Sequence, residues 1–142
     1  MDIRLYRASD RAAVIALWNT IFSYPGDYND PGRAIDKKLA VADQLFFVAV
    51  NAETVIGTVL GGYDGHRGWV YSLAVSSNFQ RRGIGSALMS PVENELHARG
   101  CPKVNLQVRT DNELVVSFYK KLGYDIEERI SMGKRMQTQS EE

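Results

Sequence analysis

Apolar residues recur along this chain in two rhythms, and the changes of rhythm mark its elements. Residues 2 to 7 read as a strand. Ala13, Leu17 and Ile21 then repeat at spacing four, one face of a helix that Ser9 caps and that runs to about Phe22. After a Tyr, Pro, Gly and Asp loop at 23–29, Asp30-Pro31 opens a second helix, with Asp as cap and Pro at the first helical position. It ends near Val41. Strands are expected over Gln44–Val50 and Thr54–Tyr63, joined by a tight turn at Asn51-Ala52-Glu53. A further strand, Trp69–Val75, precedes a helix over 82–98 that puts Ile84, Leu88, Met89, Val92 and Leu96 on one face. Val104–Val108 reads as a short buried strand and Glu113–Leu122 as a helix, capped by Asp111 or Asn112 and closed by Gly123. Tyr124–Glu128 and Ile130–Arg135 are expected as two last strands, and 137–142 as a disordered polar tail. The order β-α-α-β-β-β-α-β-α-β-β describes one α/β domain over 1–136, without repeats or linkers.

Composition narrows the function classes. A chain of 142 residues buries about two thirds of its unfolded surface and folds without staples. Lys plus Arg and Asp plus Glu balance at 17 each, so global charge argues for neither nucleic acid nor an anionic membrane. No apolar run is long enough to span a bilayer, and the first residues lack a signal-peptide pattern. A single cysteine, Cys101, excludes an internal disulfide framework and suits the cytoplasm. As a nucleophile it has no evident His partner.

The densest chemistry lies in Gln80-Arg81-Arg82-Gly83-Ile84-Gly85-Ser86, between a strand and a helix. Glycines let the backbone turn tightly and let a ligand approach it. The first amides of a helix lack intrahelical partners, and the dipole adds positive charge there. A phosphate or pyrophosphate suits such a place. The P-loop spacing and its lysine are absent, and Leu88 stands where a dinucleotide fingerprint needs a small residue. A turn that merely packs a helix on a sheet is the plainer alternative. The pattern Gln-x-x-Gly-x-Gly after a strand resembles motif A of the GNAT superfamily of N-acetyltransferases. In that superfamily the loop and helix start hold the pyrophosphate of coenzyme A.

A second constellation lies downstream. Asn112 and Tyr119 stand seven residues apart, two helical turns, and so face the same way. Asn112 with Phe118-Tyr119-Lys120-Lys121-Leu122-Gly123-Tyr124 resembles GNAT motif B. The resemblance implies that Asn112 bonds the pantetheine arm and that Tyr119 is the general acid beside the coenzyme sulfur. A phenol suits that role because acetyl transfer to an amine expels a thiolate, and tyrosine, with a pKa near 10, stays protonated at neutral pH. The alternative is a core aromatic with its hydroxyl at the surface. The resemblance also implies a GNAT fold: a mixed, mostly antiparallel sheet of six to seven strands with about four helices. The sheet would be splayed after strand 69–75, where backbone groups of Leu73, Ala74 and Val75 meet pantetheine or the thioester carbonyl.

The pattern breaks at the general base. Some relatives carry a Glu on the strand before the motif B Asn, where this chain has Gln107; others carry one on the motif A strand, where it has Tyr71 and Ser72. A water chain, Tyr71, Asp27, Asp30, Asp36 and Asp64 stay open, as does His66, which titrates near neutrality but sits in a turn-like run. His97, late in its helix, reads as structural. The acceptor cleft would be shaped by the first two helices and their loop. Trp18 and Phe22 read there as core, Tyr24 and Tyr28 as pocket walls. Tyr28-Asn29-Asp30-Pro31, the run Gly61–Gly68 and Gly100-Cys101-Pro102-Lys103 resemble the small bacterial YpeA-type acetyltransferases. The expected co-substrate is acetyl-CoA without a metal, and the partner a small-molecule or peptide amine; a homodimer is compatible. The other readings are a non-catalytic acyl-CoA sensor or interaction module, and transfer of a longer acyl group.

Overall fold

The structure, a computed structural model, describes residues 1–22 and 30–136. Tyr24, Asp27, Tyr28, Asn29 and the tail 137–142 lie outside the described residues. The chain divides into two compact units, Met1–Gln107 and Val108–Glu142.

The first unit is a five-stranded sheet in sequential order β1-β2-β3-β4-β5. Its strands are β1 Asp2–Leu5, β2 Phe46–Asn51, β3 Thr54–Tyr63, β4 Gly68–Val75 and β5 Val104–Leu106. The pairs are antiparallel except β4–β5, which is parallel. Helices α1 Arg11–Ile21 and α2 Pro31–Val41 precede β2, and α3 Ile84–Ala98 links β4 to β5.

The two faces of the sheet are filled differently. On one, Val14, Leu17 and Trp18 of α1 and Ile35 of α2 pack with Phe46, Val48, Leu60 and Ala74. On the other, α3 lies almost on the backbone. A Cβ added at Gly61 would stand 2.7 Å from Val92 Cγ1, and one at Gly57 2.9 Å from Leu88 Cδ1. Glycine at these two positions lets Leu88 and Val92 reach full burial.

Local chemistry sets the boundaries. Asp30 Oδ2 accepts from Arg33 N–H at 3.0 Å, with Pro31 at the helix start, as the sequence indicates. The hairpin between β2 and β3 turns on Ala52 and Glu53, both with positive φ (49° and 66°), the handedness that matches strand twist. Strand β1 stops at Leu5 and a 3-10 turn at Ala8–Asp10 leads into α1, so Ser9 lies within that turn and does not cap. Strand β2 starts at Phe46 because Gln44 is left-handed (φ 57°).

The second unit carries α4, Glu113–Lys121. Asn112, not Asp111, caps it, its Oδ1 accepting from Val115 N–H at 3.4 Å. Gly123 (φ 98°) closes it. The two strands expected over 124–135 are absent among the described residues, so the sheet has five strands instead of six to seven. Ile126, Ile130 and Met132 stand singly among polar residues and glycine and remain 71%, 89% and 89% exposed. With no face to bury, the alternation has nothing to hold it as a ladder.

Candidate active site

Strand β4 breaks register where the sequence shows only a continuous strand. Thr58 pairs with Ala74 and Leu60 with Tyr71, so Ser72 and Leu73 together face Val59. This is a β-bulge, and its Ser72 is left-handed, φ 51°. A buried relay holds it. Thr58, fully buried, donates its hydroxyl to Ser72 O at 3.0 Å and accepts from Trp18 Nε1 at 2.8 Å. Trp18 lies in the core, as the sequence indicates, whereas the role of Thr58 does not show in the sequence pattern. Its one trace there is a hydroxyl residue inside the apolar run Val55–Leu60.

Beyond the bulge β4 stands apart from β5. Their register ends at Val70–Leu106, while β4 continues to Val75. Strand β5 is therefore shorter than expected, and Gln107 lies past its end, exposed. Leu73 and Val75 are half-buried and Ala74 is buried. Gln80 Nε2 donates to Val75 O at 3.0 Å, which ties the following loop to the strand end.

That loop explains why α3 begins at Ile84 and not at 82. Arg81 (φ 64°) and Gly83 (φ 79°) are both left-handed, a conformation no α-helix tolerates. The result turns the chain sharply and presents the first amides of α3 outward at its positive end. Arg81, Arg82, Gly83 and Ser86 are exposed, Gly85 is half-buried, and Ile84 anchors the helix in the core. Arg82 stacks its guanidinium 5.2 Å from the Phe79 ring centre, which braces its charge at the surface. Exposed guanidinium groups around unpaired helix amides are the donor set a pyrophosphate needs.

In the second unit Tyr119 is 8% exposed, with Phe118 and Tyr124 edge-on to its ring at 5.0 and 5.7 Å. Burial pushes its pKa up to about 12. Asn112 keeps its side-chain amide group as a donor while its oxygen caps α4.

Most candidate bases have other work. Asp30 caps α2, and Asp36 meets Arg11 at 2.7 Å. Asp64 Oδ1 accepts the Arg67 and His66 N–H groups at 2.7 Å each, which hold its carboxyl below the ordinary range, and Oδ2 accepts from Trp69 Nε1. It is a clasp for the turn in which His66 lies exposed. Tyr71 is 45% exposed on β4. Cys101 is buried, its thiol donating to Lys103 O at 3.2 Å, which does not favour a nucleophile. Among the described residues no helix is long and apolar enough to cross a membrane.

Comparison with known proteins shows the family of the chain. A family model described as the acetyltransferase (GNAT) family matches residues 12–124, which run through both units. The chain belongs to the GNAT acetyltransferase family. It is 47% identical over 137 residues to an acetyltransferase of Pectobacterium atrosepticum, covering 96% of each chain. Among solved structures it is similar to Ard1 from Thermoplasma volcanium, with TM-score 0.78 and 28% identity over 89% of this chain and 83% of that one. It also shares its fold with AAC(6')-Iy in complex with a bisubstrate analog, CoA-S-monomethyl-acetylneamine, at TM-score 0.77 and 20% identity, covering 95% and 97%. As a GNAT member the protein is an N-acetyltransferase, and the family's acetyl donor is acetyl-CoA.

Proposed function

We propose that this GNAT enzyme moves the acetyl group of acetyl-CoA to a primary amine, on a small molecule or a peptide N-terminus, by direct attack in a ternary complex. The observation that carries the reading is the left-handed turn at Arg81 and Gly83 into α3, flanked by exposed Arg81 and Arg82. In this reading the amides of Gly83 to Ser86 and the side chains of Gln80, Arg81 and Arg82 hold the pyrophosphate. Backbone groups of Leu73, Ala74 and Val75, past the Ser72 bulge, meet the pantetheine arm and the thioester carbonyl, and Asn112 binds the same arm. The amine nitrogen attacks the thioester carbon, and the tetrahedral intermediate collapses with loss of the thiolate. Tyr119 gives that sulfur its proton. Buried among its neighbours, the phenol stays protonated through the neutral range, as a general acid must be. The proton lost by the amine goes to water along β4, since Asp30, Asp36 and Asp64 are engaged elsewhere. Catalysis lies in one domain over 1–136, and the single reduced Cys101 suits a cytoplasmic setting.

Free thiol release from acetyl-CoA across an amine panel tests the activity. Tyr119→Phe should lower turnover by roughly two to four orders of magnitude with coenzyme affinity nearly unchanged. Arg82→Ala should weaken coenzyme binding. The engaged carboxylates favour a second reading, a non-catalytic acyl-CoA-binding module. Coenzyme binding without thiol release on any amine would select it.

A further inference from the structure

The β2–β3 ladder lacks one bond at the end nearest α2. Gly61 N–H donates to Leu45 O at 2.8 Å, which is half of a closely spaced antiparallel pair. The return bond would run from Leu45 N–H to Gly61 O. Instead Leu45 N–H donates to Asp43 Oδ1 at 3.1 Å, and Gly61 O accepts from Lys38 Nζ. Lys38 Nζ in turn meets Asp43 Oδ2 at 2.8 Å. An ion pair is thus spliced into the ladder in place of a backbone bond. The backbone explains why. Ala42 (φ 56°) and Gln44 (φ 57°) are both left-handed, and the chain they fold back puts Leu45 N–H against Asp43.

The same ammonium reaches the sheet's next strand. It lies 5.7 Å from the centre of the Tyr71 ring. Tyr71 is paired with Leu60, so it shares the face that α1 and α2 cover. It adjoins the Ser72 bulge and stays 45% exposed. Lys38 itself is only 6% exposed, so its charge is held by these groups and not by solvent.

We propose that Lys38, fixed by Asp43, is a positioning residue for the amine acceptor: it holds the Tyr71 ring as a rigid wall on the α2 side of β4. The proposal rests on the reading that an amine is acetylated beside this strand. It assigns a specificity role to a residue that otherwise resembles a helix-end charge.

Kinetics with an accepted amine, run on the full-length enzyme, test it. Lys38→Met should raise the KM for the amine by roughly fivefold to tenfold, the size expected of a desolvated cation–π contact. The KM for acetyl-CoA should stay within about twofold. Tyr71→Leu should do the same, and the double variant should be no worse than either single, because the lysine acts through the ring. Equal changes in both KM values, or multiplying effects in the double variant, would overturn the proposal. If Lys38→Met does not fold, Lys38→Met with Asp43→Leu replaces the pair by apolar volume and serves instead. If wild type acetylates no amine, the functional reading fails separately. The positioning claim is then judged by NMR of ring-labelled tyrosine. A changed Tyr71 resonance in Lys38→Met with unchanged coenzyme binding supports it, and an unmoved resonance sinks it.

Discussion

The two faces of the sheet are built by opposite means. On the α3 face the helix packs through buried apolar side chains, and Gly57 and Gly61 bring it so close that Leu88 and Val92 rest against the strands. On the α1–α2 face the apolar core is crossed by three polar ties. Trp18–Thr58–Ser72 holds the bulge, Lys38–Asp43 bridges to Gly61, and Arg4 grips Asp10 through two bonds of 2.8 and 2.9 Å. Dispersion and burial fix the distance of a helix from a sheet but are indifferent to small slides. Directional bonds fix individual atoms. The face with polar ties is the one on which β4 breaks register, beside the strand where the proposed acetyl transfer takes place.

The contrast can be broken from either side. The largest stability effect belongs to the α3 face. Leu88→Ala removes a fully buried side chain over Gly57 and should cost about 3 kcal/mol by urea denaturation. The molecules that remain folded should keep their KM values. A shifted amine KM would show that α3 packing also tunes the acceptor side. On the other face Asp10→Ala should cost about 2 kcal/mol near neutral pH, because a buried carboxylate loses charge-assisted bonds from Arg4 and Arg7 N–H. Those bonds, the Arg4 side chain first, lower the Asp10 pKa in the folded state. A depressed carboxyl contributes stability above its unfolded value and loses it as pH falls through the folded value. The gap between wild type and Asp10→Ala should therefore narrow below the ordinary Asp pKa of 3.8. A gap that is constant from neutral to acid pH would mean that the pair contributes nothing through charge. The smallest stability effect should come from Thr58→Val, about 1.5 kcal/mol, since the buried Trp18 Nε1 and Ser72 O both lose their partner. Its turnover should nevertheless drop more than that of Leu88→Ala. The reverse ranking would detach the bulge from catalysis.

The same division explains what the sequence discloses. Helix starts and stops are written in single residues whose local chemistry suffices, such as Asp30-Pro31, Asn112 and Gly123. The apolar face of α3 appears in the spacing of Ile84, Leu88, Met89, Val92 and Leu96, all of which are buried. The Gln80–Ser86 loop is legible because its glycines and arginines are contiguous. The polar ties are not, because each joins residues far apart in the chain. Ser72 takes a left-handed turn with no glycine to announce it, since Thr58 imposes it. Lys38 has the spacing of a solvated helix end and is buried only because Gly61 O and Asp43 meet there. The two strands expected over 124–135 are absent among the described residues for the converse reason. Their alternation is visible locally, but nothing local shows whether a partner surface exists.

Arg81 places the loop before α3 under a conflict of interest. Its backbone, at φ 64°, asks for glycine, whereas its exposed guanidinium beside the start of α3 answers to an anion. One residue cannot satisfy both demands. Arg81→Gly would relax the backbone by about 1 kcal/mol and discard the charge. On the proposed reading, selection for a sturdier fold and selection for a tighter coenzyme site therefore pull this position in opposite directions. A screen for thermal stability alone would drift toward variants that fold better and, on the same reading, hold acetyl-CoA less well.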